Sequence, residues 1–185
     1  DRKAFDLYLV TRLDGFTVED AIALVDRGAK PVRDGRILLD QQGGKASQAG
    51  DAWLKSGADR LAAGGFGGRV TLDTSPGVLT GEKNLLGYYS WGPAYGGTKT
   101  RHLGLGFVPG AIAGTYVSTD ARTFVEPPAA WTIGTWLDRA TYYAGSPQSL
   151  TGDLIREGVT GVAGHVAEPF LDAAIRPDVL FPAYV

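Results

Sequence analysis

Short apolar runs bounded by turn residues alternate along this chain with segments whose apolar residues recur at helical spacing. Phe5 to Thr11 (FDLYLVT) is a run rich in β formers, closed by an Asp14-Gly15 turn. Thr17-Val18-Glu19-Asp20 is an N-terminal capping pattern, since the threonine hydroxyl can accept from the first helical turn and acids suit its positive end. Ala21, Ile22, Leu24 and Val25 then supply an apolar face, and Arg27-Gly28 a cation and a glycine for the helix end. The unit repeats. Arg36 to Asp40 (RILLD) predicts a short buried strand, and Trp53, Leu54, Ala58, Leu61 and Ala62 predict a helix ending at Gly64-Gly65, with Gly50 and Gly57 weakening it. Arg69 to Asp73 (RVTLD), Leu85 to Trp91 (LLGYYSW) and Ala111 to Thr119 (AIAGTYVST) predict three more strands. Ser146-Pro147 predicts a helix start, with Leu150, Leu154 and Ile155 leading to Gly158, and Val159 to Val166 (VTGVAGHV) a buried strand. The alternation implies an α/β fold, a three-layer and mostly parallel sheet with helices on both faces.

Residues 1–185 read as a single α/β domain, with 1–33 open to a second reading as the end of an upstream subdomain. Two stretches, 93–109 and 126–145, are longer than ordinary connectors and read as candidate binding loops. The second holds Pro127-Pro128, Trp131, Trp136, Tyr142 and Tyr143, a group that reads either as a packed cover over the sheet or as a binding surface.

Composition narrows the function. With 44% hydrophobic and 21% charged residues in 185, the chain can bury one core. No apolar run is long enough to span a membrane. Eighteen basic residues against twenty acidic ones give a formal charge of -2, which offers a nucleic acid no sustained positive field. The absence of cysteine excludes disulfides, thiolate metal sites and cysteine-protease chemistry. A chain that begins Asp1-Arg2-Lys3 and contains no Met reads as part of a longer translation product, so localisation is not legible and no signal peptide is visible.

Open α/β sheets bind ligands at the carboxyl ends of their strands, and here those ends are polar. They are Arg12 and Asp14, Asp40 and Gln41, Asp73 and Thr74, Ser90 and Trp91, Ser118 to Asp120, and His165 with Glu168. Asp14, Asp40, Ser90 and Trp91 are ligand-binding candidates. With only two histidines, His102 and His165, a hydrolytic site would need Ser118 or Thr119 as nucleophile, His165 as base and Asp120 or Glu168 as orienter. No G-x-S-x-G elbow supports it, and a histidine bonded to backbone is the plainer expectation. A metal would need Asp40, Asp120, His165 and Glu168 to converge from separate strands, so no metal is predicted. Gly64 to Gly68 and Gly43-Gly44-Lys45-Ala46 lack phosphate-loop signatures and read as turns, so no cofactor is predicted.

The strings LYLVTRLDGFTVEDAIALVD, LLGYYSWG, FVPGAIAGTYVSTDARTF, SPQSLTGDLIREGVTGVAGHVAEPFL and RPDVLFPAYV together resemble a family of uncharacterised bacterial proteins longer than this chain. The resemblance implies a bacterial protein and leaves export open. More distantly, the order of segments is similar to that of gingipain-type, caspase-like peptidases, in which one strand ends in His-Gly and the next in the nucleophilic Cys. Here the first motif reads Tyr89-Ser90-Trp91-Gly92 and the second Val117-Ser118-Thr119-Asp120, so both catalytic side chains are replaced. The resemblance implies a Rossmann-type, caspase-like sheet whose peptidase site is lost. The former cleft would bind a peptide, glycan or protein partner or be structural. An indole cannot accept a proton, so Trp91 would stack on a ligand or plug the cleft. The alternative is the hydrolase rebuilt around His165.

Overall fold

Each strand alternates its side chains between two apolar layers, and the result is one parallel sheet of five strands in the spatial order β2-β1-β3-β4-β5. The strands are β1 (Arg36–Asp40), β2 (Val70–Asp73), β3 (Leu85–Ser90), β4 (Phe107–Thr115) and β5 (Gly161–Ala163). The helices are α1 (Val18–Ala29), α2 (Gln48–Leu61), α3 (Thr151–Arg156), α4 (Phe170–Ala173) and α5 (Pro177–Tyr184). The structure is a computed structural model that describes residues 11–44, 47–95 and 97–185. The predicted strand Phe5 to Thr11 lies, apart from Thr11, outside the described residues.

On one face, Leu38, Tyr88 and Ala113 pack with Leu24 of α1 and with Leu154 and Ile155 at α3. On the other, Ile37, Leu39 and Tyr89 pack with Leu54 and Leu61 of α2 and Phe181 of α5. Neighbours along β1 and β3 thus serve opposite cores, which is the three-layer α/β arrangement. Helix α1 starts as its sequence predicts. Asp20 N donates to Thr17 Oγ1 at 3.2 Å and Thr17 N to Asp20 Oδ2 at 3.1 Å, a capping box. Its last turn runs through Gly28 to Ala29, because Gly28 does not turn left-handed.

Other elements depart from the pattern. Strand β4 runs from Phe107 to Thr115 rather than from Ala111 to Thr119. A register shift between Leu85 and Gly87 absorbs its extra leading residues, and the Thr115 hydroxyl accepts from Val117 N at 3.1 Å, turning the chain out of the sheet. The helix expected from Ser146-Pro147 begins only at Thr151. Ser146 Oγ instead accepts from Gln148 N at 3.2 Å in a local turn, and Pro147 O takes Gly134 N at 3.0 Å. The strand expected over Val159 to Val166 shrinks to Gly161–Ala163 and is half-buried, because it pairs with β4 alone and forms an edge.

Candidate functional site

From β1 the chain steps outward to β2, then crosses back to β3 and winds the other way through β4 and β5, so the winding reverses between β1 and β3. The crevice outside the carboxyl ends at such a reversal is where these sheets take ligands. The strand register brings Asp73, Asp40, Ser90 and Thr115 into one polar row along that edge. Asp40 is 2% exposed, and its Oδ2 accepts from Leu79 N at 3.0 Å while Oδ1 has no partner among the described residues. Burial pushes its carboxyl up to about 6, with Asp73 and Asp51 adding to the rise. Ser90 Oγ accepts from Tyr88 Oη at 2.8 Å and from Gly92 N at 2.9 Å.

Trp91 fills the crevice. Only 9% of it is exposed. Its indole Nε1 donates to Asp51 Oδ1 at 2.7 Å, and its ring lies 4.5 Å from that of Tyr116 and 5.6 Å, edge-on, from that of Tyr95. What is left between Asp40, Gln41, Ser90, Trp91 and Tyr95 is a gap of about 10 Å³, the size of a single water. Gly50, in α2, permits this. A Cβ there would run into the Trp91 ring, with Tyr116 Cε2 3.0 Å away.

Asp51 is a residue the sequence pattern did not single out, and it organises the loop after β1. Its carboxylate accepts from Gln42 N at 3.1 Å, Gly43 N at 2.8 Å and Ser47 Oγ at 2.9 Å, besides the Trp91 indole. Gly43 and Gly44 take φ +76 and +84, which turns the loop amides toward that carboxylate. Gly64 to Gly68 lie in the turn before β2, at the opposite end of the sheet.

The hydroxyls after β4 turn to Gln148. Ser118 Oγ and Thr119 Oγ1 donate to Gln148 Oε1 at 3.1 and 2.6 Å, and Thr119 also meets Ser146 Oγ at 2.8 Å. Asp120 is 1% exposed. Its Oδ2 accepts from Thr115 Oγ1 at 2.9 Å and its Oδ1 from His165 N at 2.7 Å. Burial pushes Asp120 up to about 6 against the opposing pull of these bonds and of His165. The imidazole bonds to backbone: Nδ1 lies 3.1 Å from Val117 O and is therefore the protonated nitrogen, leaving Nε2 buried and without a partner among the described residues. Asp120 and His165 are thus brought together, but through the histidine backbone, and neither hydroxyl reaches the ring by a hydrogen bond. Glu168 is exposed and accepts from Phe170 N at 3.0 Å, and Asp14 accepts from Gly15 N at 2.9 Å and pairs with Arg12. Asp14 lines a separate cavity with Thr151 and Gly164, beside β5.

Arg122 holds this loop cluster in place. Its guanidinium donates to the carbonyls of Thr119 (2.9 Å), Tyr143 (3.0 Å), Ser146 (3.1 Å), Gln148 (2.8 Å) and Ser149 (3.3 Å). Burial lowers it to about 10, which leaves it cationic at neutral pH. Among the described residues no three histidine, aspartate or glutamate side chains converge as metal ligands, and no helix is long and apolar enough to cross a membrane. Comparison with protein families, curated proteins and solved structures finds no match to this chain.

Proposed function

We propose that this chain is a catalytically degenerate, caspase-like domain whose role is binding or structural rather than the cleavage of a bond. The observation that carries the reading is how Trp91 is held. It stands where the resemblance puts a catalytic imidazole, yet it offers only a donor, spends that donor on Asp51, and fills the crevice with its ring. Ser118 and Thr119, near the position of the nucleophile, spend their protons on Gln148.

A second reading, the hydrolase rebuilt around His165, draws on one observation: the lone pair of Nε2 is free of protein partners among the described residues and so keeps a base's capacity. One experiment tests both. The chain is incubated with a fluorophosphonate probe and with activated esters, alongside the Ser118→Ala/Thr119→Ala and His165→Ala variants. No labelling or turnover beyond that of the variants is the expected result. Labelling mapped to Ser118 or Thr119 that disappears in His165→Ala overturns the binding reading.

A further inference from the structure

Two aromatic rings stand out from the surface beside the silent crest. Tyr95 is 51% exposed and Trp136 53% exposed, and both line a groove of about 240 Å³ together with Pro147, Gly134 and Gln148. Both rings are braced. Tyr95 lies edge-on to Trp91 at 5.6 Å, and Trp136 meets Tyr142 at 5.6 Å and 89°, while the Tyr142 hydroxyl donates to Trp136 O at 3.0 Å.

The residues lining the groove carry N–H donors on Gln148 and Trp136, and hydroxyls on Tyr95 and Thr135 that donate or accept. Gln148 is 8% exposed, and its Oε1 is occupied by the Ser118 and Thr119 hydroxyls. Its amide is thereby oriented, with no acceptor for Nε2 among the described residues. Arg122 fixes the backbone beneath it through Gln148 O at 2.8 Å. The Trp136 indole N–H and the Tyr95 hydroxyl likewise have no acceptor among the described residues. None of the described residues lining the groove is charged.

A groove lined by two half-exposed aromatic residues, with no charged residue among those described and with N–H donors that lack acceptors, is complementary to a ligand that is neutral, apolar in its rings and rich in acceptors. A proline-rich segment in polyproline II conformation has this chemistry, because its carbonyls project outward and its prolines carry no N–H. A sugar ring would instead surround itself with hydroxyls that donate as well as accept, and Thr135 is the one hydroxyl beyond Tyr95 lining this groove. We infer that the Tyr95–Trp136 groove binds an extended proline-rich peptide, with proline rings on the two aromatic faces and backbone carbonyls on Gln148 Nε2 and Trp136 Nε1. The assignment rests on the binding reading of the domain and names its ligand class.

The test is titration of the chain into fluorescein-labelled decaproline, followed by anisotropy, with cellohexaose as the competing neutral glycan. Saturable binding is expected, weakened about ten-fold by Trp136→Ala and by Tyr95→Ala, as for aromatic anchors at other interfaces. Both positions are half-exposed, so their melting temperatures should stay near that of the parent, and either variant suffices should the other fold poorly. Absence of saturable decaproline binding, binding indifferent to both substitutions, or displacement by cellohexaose overturns the assignment. These outcomes are independent of the fluorophosphonate result. A silent chain that ignores decaproline has lost this groove assignment, whereas probe labelling of Ser118 or Thr119 removes the binding reading itself.

Discussion

The guanidinium of Arg101 grips the carboxylate of Asp153 with two bonds, Nη2 to Oδ1 at 2.6 Å and Nε to Oδ2 at 3.2 Å, and both side chains are almost wholly inside the protein. The pair joins the long loop after β3 to α3, so it positions the segment that leads into the last strand. Removing one partner strands a charge in the interior. Arg101→Met should therefore lower stability by about 3–5 kcal/mol, while Arg101→Met/Asp153→Leu should recover most of that loss. Urea unfolding of the three proteins measures both numbers, and equal losses in the single and double variants would show that packing rather than charge is at stake.

Trp91 and Asp51 are expected to be energetically coupled. Trp91→Phe keeps most of the ring's packing on Tyr116 but removes the N–H, and Asp51→Ala removes the acceptor. A charge-assisted bond in this partly buried setting predicts a coupling energy of about 1–2 kcal/mol in a double-mutant cycle. Coupling indistinguishable from zero would mean that the indole is held by its ring alone.

Gly50→Ala opposes two effects whose magnitudes decide the sign. In an exposed helix interior the change stabilises by about 1 kcal/mol. At Gly50 the new Cβ meets the Trp91 ring, and overpacking of a tight interior costs about 1–3 kcal/mol. Net destabilisation is expected by thermal melting, with a shift in tryptophan fluorescence as the ring moves. A raised melting temperature would show that the crevice has slack.

Asp40 and Asp120 tie stability to pH. Each has its folded value raised to about 6 by burial, above the ordinary carboxylate value of 3.8. The folded state thus holds its protons more tightly than the unfolded state between pH 4 and 6, so the stabilising contribution is complete below the lower value and is lost as pH rises through the upper one. The unfolding free energy measured in urea should be greater at pH 5 than at pH 8, by on the order of 1 kcal/mol per carboxyl. Asp40→Asn should flatten that dependence. A midpoint that rises toward pH 8 contradicts the assignment.

The α1, β1 and β3 segments were legible because local signals and tertiary packing agree there: the capping box at Thr17 and the apolar run Ile37-Leu38-Leu39 each admit one structure. The region after β4 was not. Tyr116 to Thr119 reads as the end of a strand by composition, yet its hydroxyls and the carboxylate of Asp120 have partners distant in sequence, Gln148 and His165, that draw it into a loop. The same competition for Ser146 removed the first turn of the expected helix. At the crest, Asp40, Ser90 and Trp91 can be placed from the sequence because strand ends can be counted. Asp51 lies eleven positions beyond Asp40, in the first turn of α2, and nothing in the strand pattern points to it. Gln148 carried no signal, since an amide declares itself only through what it touches.

The loop after β1 already contains its anion. Amides at the head of a βα unit ordinarily await a phosphate or carboxylate brought by a ligand, but here Asp51 is covalently part of the same loop–helix segment and occupies Gln42 N and Gly43 N. A free anion would compete with a tethered one, whose local concentration lies far above what solution can supply. Phosphate and sulfate should accordingly leave this loop untouched, and in Asp51→Ala the same amides become a vacant receptor that either ion can enter.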